Sequence, residues 1–253
     1  MRLLYVLVAL LLQTPWVWAG ASRSFDGTND SIGWGSIANL ANESNLGCGC
    51  WVVNNNLTQD HFILGNNVDS TDGGILFLTD DVGSSSGRTN TYKIFIQEPS
   101  ASGGSNCFVE AASSSALAST WQWIAFNFSA AGSVRLFIDG TEDANSPGSC
   151  TNVSNSGGGG DAFTMGETTS GTLDRSGNMA YCQCWSETRG LVTLEQARWL
   201  PETFPSAPEL TAPLFGSDSP EIDLSGDGNS GTVAGAGEDV TGPPVMFGLG
   251  LPL

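Results

Sequence analysis

Apolar residues recur at every second position through much of the chain. Tyr92, Ile94 and Ile96 share one face of a segment, and Gln122, Ile124, Phe126 and Phe128 share one face of another. Val134, Leu136 and Ile138 repeat the pattern and run into Asp139-Gly140, a pair that suits a two-residue hairpin turn. This period of two predicts strands over 22–25, 31–34, 47–53, 61–65, 75–79, 91–97, 107–111, 121–128, 134–138, 163–166 and 179–185. One short helix is predicted late in the chain, where Thr193 and Gln196 form a capping box, Leu194, Ala197, Arg198 and Trp199 give one side, and Pro201 stops it. Many strands and a single late helix specify an all-β fold of two packed antiparallel sheets, because a parallel sheet needs a helix after nearly every strand. Gly/Ser/Asn-rich tracts at 82–90, 99–106, 141–161 and 205–223 read as loops gathered at the rims of such a sandwich.

Composition narrows the setting. Of 253 residues, 40% are hydrophobic, enough for a core, but only 13% are charged, so Ser, Thr, Asn and Gly carry the solubility. Eight Lys/Arg against 26 Asp/Glu give a net charge of −18, and no basic run exists that could track a phosphate backbone, which argues against a nucleic-acid partner. At the N-terminus, Arg2 precedes an apolar run from Leu3 to Leu12, then Pro15 and small residues that suit cleavage after Ala19 or Ala21. Residues 1–21 therefore read as a signal peptide, with a membrane anchor only if the segment is retained. The expected location is secreted or extracellular, on a cell surface or a virion included. Sequons stand at Asn29, Asn42, Asn56, Asn127 and Asn152 and inform only if the host glycosylates.

The order of motifs resembles the laminin-G, pentraxin-like group of the concanavalin A-like superfamily, of the kind found in bacteria and their viruses. Phe25-Asp26-Gly27-Thr28-Asn29-Asp30 resembles that group's opening motif, and 47–53 sits where its first central strand with a Trp belongs. Trp121-Gln122-Trp123-Ile124-Ala125-Phe126 is similar to its Trp-His-His-Val-Ala strand with both histidines replaced; 134–140 resembles the strand ending in Asp-Gly. The stretch 176–200 resembles the final strand plus short helix, and the tail from Ser219 to Asn229, continuing to Pro243-Pro244-Val245, is similar to tails on such proteins. The resemblance implies a jelly-roll sandwich over 22–200, a C-terminal tail over 201–253 that packs on it or extends from it, carbohydrate or protein binding, and in some members calcium. Fold alone does not fix function.

The resemblance also makes 47–53 and 179–185 antiparallel neighbours. One register then pairs Cys48 with Cys184 and Cys50 with Cys182, with Trp51 opposite Tyr181, and leaves Cys107 for Cys150. Disulfides suit an exported chain with six Cys. Buried free thiols and a four-thiolate zinc site remain open alternatives. For metals, Asp223-Leu224-Ser225-Gly226-Asp227-Gly228 starts like an EF-hand loop but has Ala234 where the bidentate Glu belongs, so a polar turn is the better reading. The resemblance raises calcium at Asp26, yet Met179-Ala180-Tyr181 offers no carboxylate where the last strand should supply one. Trp34, Trp123 and Trp185 fall opposite, or at the margin of, the apolar rows and are the candidate platforms for a sugar, packing beneath a covered face being the plain alternative. The single His, His61, reads as a partly exposed strand residue.

Catalytic signatures are sparse. No Glu-x-Asp-x-Glu string occurs, Glu221-Ile222-Asp223 running on into Ser225, and there is no Gly-x-Ser-x-Gly elbow. The sequence thus reads as a secreted, non-catalytic module that recognises glycan or protein ligands through rim loops. A structural or decoration protein of a cell surface or virion, capable of self-assembly, is the competing reading. A glycoside hydrolase stands third.

Overall fold

The computed structural model describes residues 17–19, 21–37, 40, 45–66, 74–80, 87–97, 106–112, 114–129, 132–146, 148–149, 162–168, 173–189, 194, 198, 208–214 and 219–246. In chain order the strands are β1 (Val17–Ala19), β2 (Ser22–Asp26), β3 (Ser31–Gly33), β4 (Asn45–Asn54), β5 (His61–Gly65), β6 (Gly74–Asp80), β7 (Thr91–Gln97), β8 (Asn106–Glu110), β9 (Gln122–Ser129) and β10 (Ser133–Ile138). There follow β11 (Thr141–Glu142), β12 (Gly148–Ser149), β13 (Thr164–Met165), β14 (Ser176–Trp185), β15 (Leu210–Ala212), β16 (Glu221–Ile222), β17 (Ser230–Ala234), β18 (Gly237–Asp239) and β19 (Pro244–Met246). The fold is an all-β sandwich. One sheet runs β11-β10-β9-β4-β14-β2-β18, with β12 beside β10 and β15 beside β14; the other runs β16-β17-β3-β13-β5-β6-β7-β8. Each strand predicted from the period of two is present. Of the predicted helix, Leu194 and Arg198 lie among the described residues, and both are helical.

Alternation decides what faces inward. Tyr92, Ile94 and Ile96 of β7 meet Ile124, Phe126 and Phe128 of β9 across the interlayer core, and Phe77 contacts Phe126 edge-on, 5.1 Å between centroids. Asp139-Gly140 forms the hairpin turn with both residues at positive φ, 50° and 82°, and joins Ile138 to Thr141. A second apolar layer covers the outer face of the first sheet. It holds Trp51, Trp123, Ala125, Phe137, Ala180, Tyr181, Trp185 and Leu194.

β4 and β14 are central neighbours, and two disulfides, Cys48–Cys184 and Cys50–Cys182, join them, each with Cα atoms 4.2 Å apart. The packed free-thiol and zinc alternatives are thereby set aside for these four cysteines. Cys107 is disulfide-bonded too, while Cys150 lies outside the described residues. The uniform register expected from the sequence is corrected at one point. Trp51 lies opposite Ala180, not Tyr181, because the register shifts between Ala180 and Gln183. Tyr181 is the residue that absorbs the shift: its φ is 48°, and its N–H donates to Pro213 O instead of to β4. The Gly of Cys48-Gly49-Cys50 has its own reason. A Cβ on Gly49 would come within 2.4 Å of the Trp123 ring that lies over it.

The tail joins both layers. β15 pairs with β14, β17 with β3 and β18 with β2, while β19 pairs with β1 in a separate two-stranded sheet. Arg23 of β2 meets Glu221 of β16 in a 2.8 Å ion pair whose side chains are 2% and 3% exposed. Glu221 also accepts from Leu214 N–H, so both ions are hydrogen-bonded as buried charges require.

Two outcomes follow. Reduction, or the Cys50→Ala/Cys182→Ala change alone, lowers the thermal midpoint. Because the two bonds close nearly the same loop, removing the first costs less than removing the second, and losing both costs about 3–5 kcal/mol in urea unfolding. Glu221→Ala leaves Arg23 buried without its counter-ion and costs about 3–5 kcal/mol, whereas Arg23→Met/Glu221→Leu together cost less than that single change; equal losses in the two variants would contradict the pairing.

Candidate functional site

Along β9 the outward row begins aromatic and ends polar: Trp123, Ala125, Asn127, Ser129. β10 presents Ser133 and Arg135 beside it, in a register that sets Ser133 opposite Ser129 and Arg135 opposite Asn127. The chain leaving β14 crosses this end of the sheet and is fastened there by Asn127. Its amide nitrogen donates to Arg189 O at 2.6 Å, and its carbonyl oxygen accepts from Arg189 N–H at 2.9 Å. Gly47 makes room for the crossing, since a Cβ there would meet Asn127 Oδ1 at 2.8 Å and Glu187 O at 3.0 Å. Asn127, Ser129, Ser133, Arg135, Thr188 and Arg189 together line a cavity of about 340 Å³, within the range of small-ligand pockets.

Among the described residues the lining is polar and carries no carboxylate. Arg135 gives Nε and Nη2 to Glu142, a contact that holds the Glu142 carboxyl below its usual range. Arg189 gives Nη1 to Glu187 at 2.6 Å and lies over the Trp185 ring, 5.5 Å from its centroid. The same crossing segment is fixed further on by Trp51, whose indole N–H donates to Arg198 O at 2.9 Å, and by Arg198 itself, which reaches Asp139 at 3.2 Å. Such a site can hold a hydroxyl-rich or acidic ligand.

Several residues singled out in the sequence are elsewhere, or otherwise occupied. Trp34, Trp123 and Trp185 are 4%, 1% and 0% exposed, so none of them is a surface platform. Trp34 packs in the interlayer core and the other two lie in the outer aromatic layer. His61 is fully buried rather than partly exposed: Nδ1 lies 3.0 Å from Asp174 O and 3.2 Å from Ser176 N, and Nε2 lies 3.1 Å from Asn56 Oδ1. The Asn127 sequon is closed in the folded protein, because its amide nitrogen is spent on Arg189. Asn29 is exposed, while Asn42, Asn152 and most of the signal segment lie outside the described residues.

Asp223 has no lone pair to spare for a metal. It accepts from Thr211 N, Ser225 N, Ser225 Oγ and Asn229 Nδ2, the pattern of a turn. Asp227 donates its N–H to Ser225 Oγ in the same turn. Asp26 accepts from Thr28 N–H, and its own N–H donates to Asp30 Oδ2 at 2.6 Å. An acidic group missed by the sequence reading gathers here: Asp30, Glu167 and Asp174, the last two facing each other across an isolated bridge. Burial, with Asp26 and Asp174 nearby, raises the Asp30 carboxyl above its ordinary value. Burial and Asp174 do the same to Glu167. Among the described residues no set of three His, Cys, Asp or Glu is arranged to hold a metal ion.

Comparison with known proteins follows the geometry. A family model described as the concanavalin A-like lectin/glucanases superfamily, Laminin_G_3, matches residues 26–190. Curated proteins yield no match. Among solved structures, a Bacteroides ovatus protein to which carbohydrate binding has been ascribed aligns with a TM-score of 0.63 at 14% identity, covering 91% of this chain. This chain spans 62% of that protein's length. A heptameric pentraxin from Limulus polyphemus aligns at TM-score 0.49 and 14% identity over 70% of this chain and 81% of its own. A carbohydrate-binding module of a Ruminococcus gnavus sialidase, bound to sialyllactose, aligns at 0.45 and 12% identity over 69% and 95%. These likenesses concern the fold.

The acidic group generates a pH test. A carboxyl with a raised folded-state value holds its proton where the unfolded chain has lost it, so stability falls as pH rises through that window. Glu167→Gln removes the loss. The variant melts above the parent at pH 7, and the gap shrinks as pH drops towards 4; a gap independent of pH would dissociate the effect from ionisation.

Proposed function

Because the chain belongs to the Laminin_G_3 family of the concanavalin A-like lectin/glucanases superfamily, we propose that it is a non-catalytic module that binds saccharides outside the cytoplasm. The observation that carries this reading is the cavity of about 340 Å³ lined by an amide, three hydroxyls and two guanidiniums, groups that match the directional hydrogen bonding of a sugar. The site departs from the stacking arrangement anticipated at Trp34, Trp123 and Trp185: ligand hydrogen bonds, not an aromatic face, supply the affinity. Only Asn127 of the lining is buried enough to be rigid, and both arms of its amide hold the wall rather than the ligand.

Two disulfides across the central seam support an oxidising compartment, in keeping with an N-terminal segment that reads as a secretion signal. The described residues of the lining include no carboxylate, which supports binding over hydrolysis.

Immobilised on a broad glycan array, the protein retains at least one saccharide class, and Ser133→Trp, which fills the cavity from an outward strand position, abolishes retention without lowering the thermal midpoint. Retention undiminished in Ser133→Trp would place binding elsewhere, and release of reducing ends from polysaccharides by the purified protein would overturn the non-catalytic assignment.

A further inference from the structure

The hydrogen-bonding groups of the cavity are unevenly used. Asn127 has both arms committed to the Arg189 backbone. Arg135 has two nitrogens on Glu142 and Nη1 left over. Arg189 has Nη1 on Glu187, while its Nε is buried with no acceptor. Its side chain is 12% exposed. The hydroxyls of Ser129, Ser133 and Thr188 can act either way. Among the described residues of the lining, the groups that are obligate in direction and still open are donors. A buried donor without an acceptor is a standing cost that an incoming acceptor removes.

We propose that the cavity takes the oxyanion of an acid-bearing saccharide, a carboxylate or a sulfate ester, on the guanidiniums of Arg135 and Arg189. This deepens the saccharide-binding reading above and rests on it. Neutral hydroxyls would satisfy the donors singly. An oxyanion offers several lone pairs at once and forms charge-assisted bonds to guanidinium. Glu142 and Glu187 pair with the two guanidiniums and hold them in place. The overall charge of −18 acts in the other direction, but at physiological ionic strength it is screened beyond about 8 Å. It disfavours long polyanions more than a short ligand with one acid seated in the cavity. Asn127 is a positioning residue in this arrangement, since it sets the Arg189 backbone against the sheet.

The test is calorimetric titration of the full-length protein with digalacturonate, its dimethyl ester, a sulfated galactose disaccharide and neutral digalactose, at low and high salt. An acid-bearing probe binds about tenfold or more tightly than its neutral counterpart, and the advantage narrows at high salt. Whether the carboxylate or the sulfate binds better identifies the source of the oxyanion. Arg135→Gln and Arg189→Gln each remove most of that advantage, lowering affinity for the acid-bearing probe more than for neutral digalactose. Arg135 sits on a regular strand with a half-exposed side chain, so its variant keeps the test valid if Arg189→Gln loosens the crossing segment. An ester that binds as well as the acid, or acid binding unaffected by both Arg variants, overturns the proposal and leaves saccharide binding standing if neutral sugars bind at the cavity. Failure of every saccharide to bind removes both.

Discussion

The pairing of β4 with β14 governs the rest of the molecule. These two ten-residue strands lie at the centre of the first sheet, and their cysteines close loops of 136 and 132 residues in sequence. A strand pair has two faces, and here both are apolar. The sulfurs enter the interlayer core, while Trp51, Ala180, Tyr181 and Trp185 face outward. Fixing this one register therefore places the core on one side and an aromatic layer on the other. The bulge at Tyr181 is the local adjustment that lets both sets coexist, one residue being taken out of the ladder so that Cys182 reaches Cys50.

An aromatic layer on the outside of a sheet has to be covered, and Arg189, Leu194 and Arg198 of the chain leaving β14 pack on it. Arg189 over Trp185 and Arg198 over Trp51 hold that segment by cation–π contact, with Asn127 and the Trp51 indole fastening its backbone. The cavity lies where the outward row of β9 turns from Trp and Ala to Asn and Ser. Site and cover thus share residues. Arg189 is both a weight on Trp185 and a wall of the cavity, which ties occupancy of the site to the seating of the segment.

Charge inside the sandwich is managed differently at its two ends. Arg23 and Glu221 neutralise each other where the tail meets β2. Arg175, fully buried, pairs with no carboxylate among the described residues: it donates to Asn54 Oδ1, Val53 O and Asn178 O, and burial lowers its value to about 10. Asn54 links it to Tyr92, which donates to Gln122 and whose phenol burial pushes up. Carbonyl dipoles and amides here substitute for a counter-ion, and the network spans β4, β7, β9 and the start of β14, a polar clasp between the two layers.

The sequence by itself determined the strands, the sandwich and the Asp139-Gly140 turn, because a period of two in apolar residues and a positive-φ dipeptide are local properties of the chain. It also carried the cysteine pairing, once the resemblance had made 47–53 and 179–185 neighbours. What it could not carry is coverage. Alternation says which face a side chain takes, not whether another segment lies over that face, so it left Trp123 and Trp185 open between platform and packing, where the fold buries them, and His61 reads as partly exposed and is enclosed. Nor does spacing reveal that Asn127 and Arg189, or Asp30 and Asp174, meet across long stretches of chain. Those contacts exist only after the sheets have stacked and the last strand's exit has been laid across them, so tertiary structure alone decided where the site is and which residues form it.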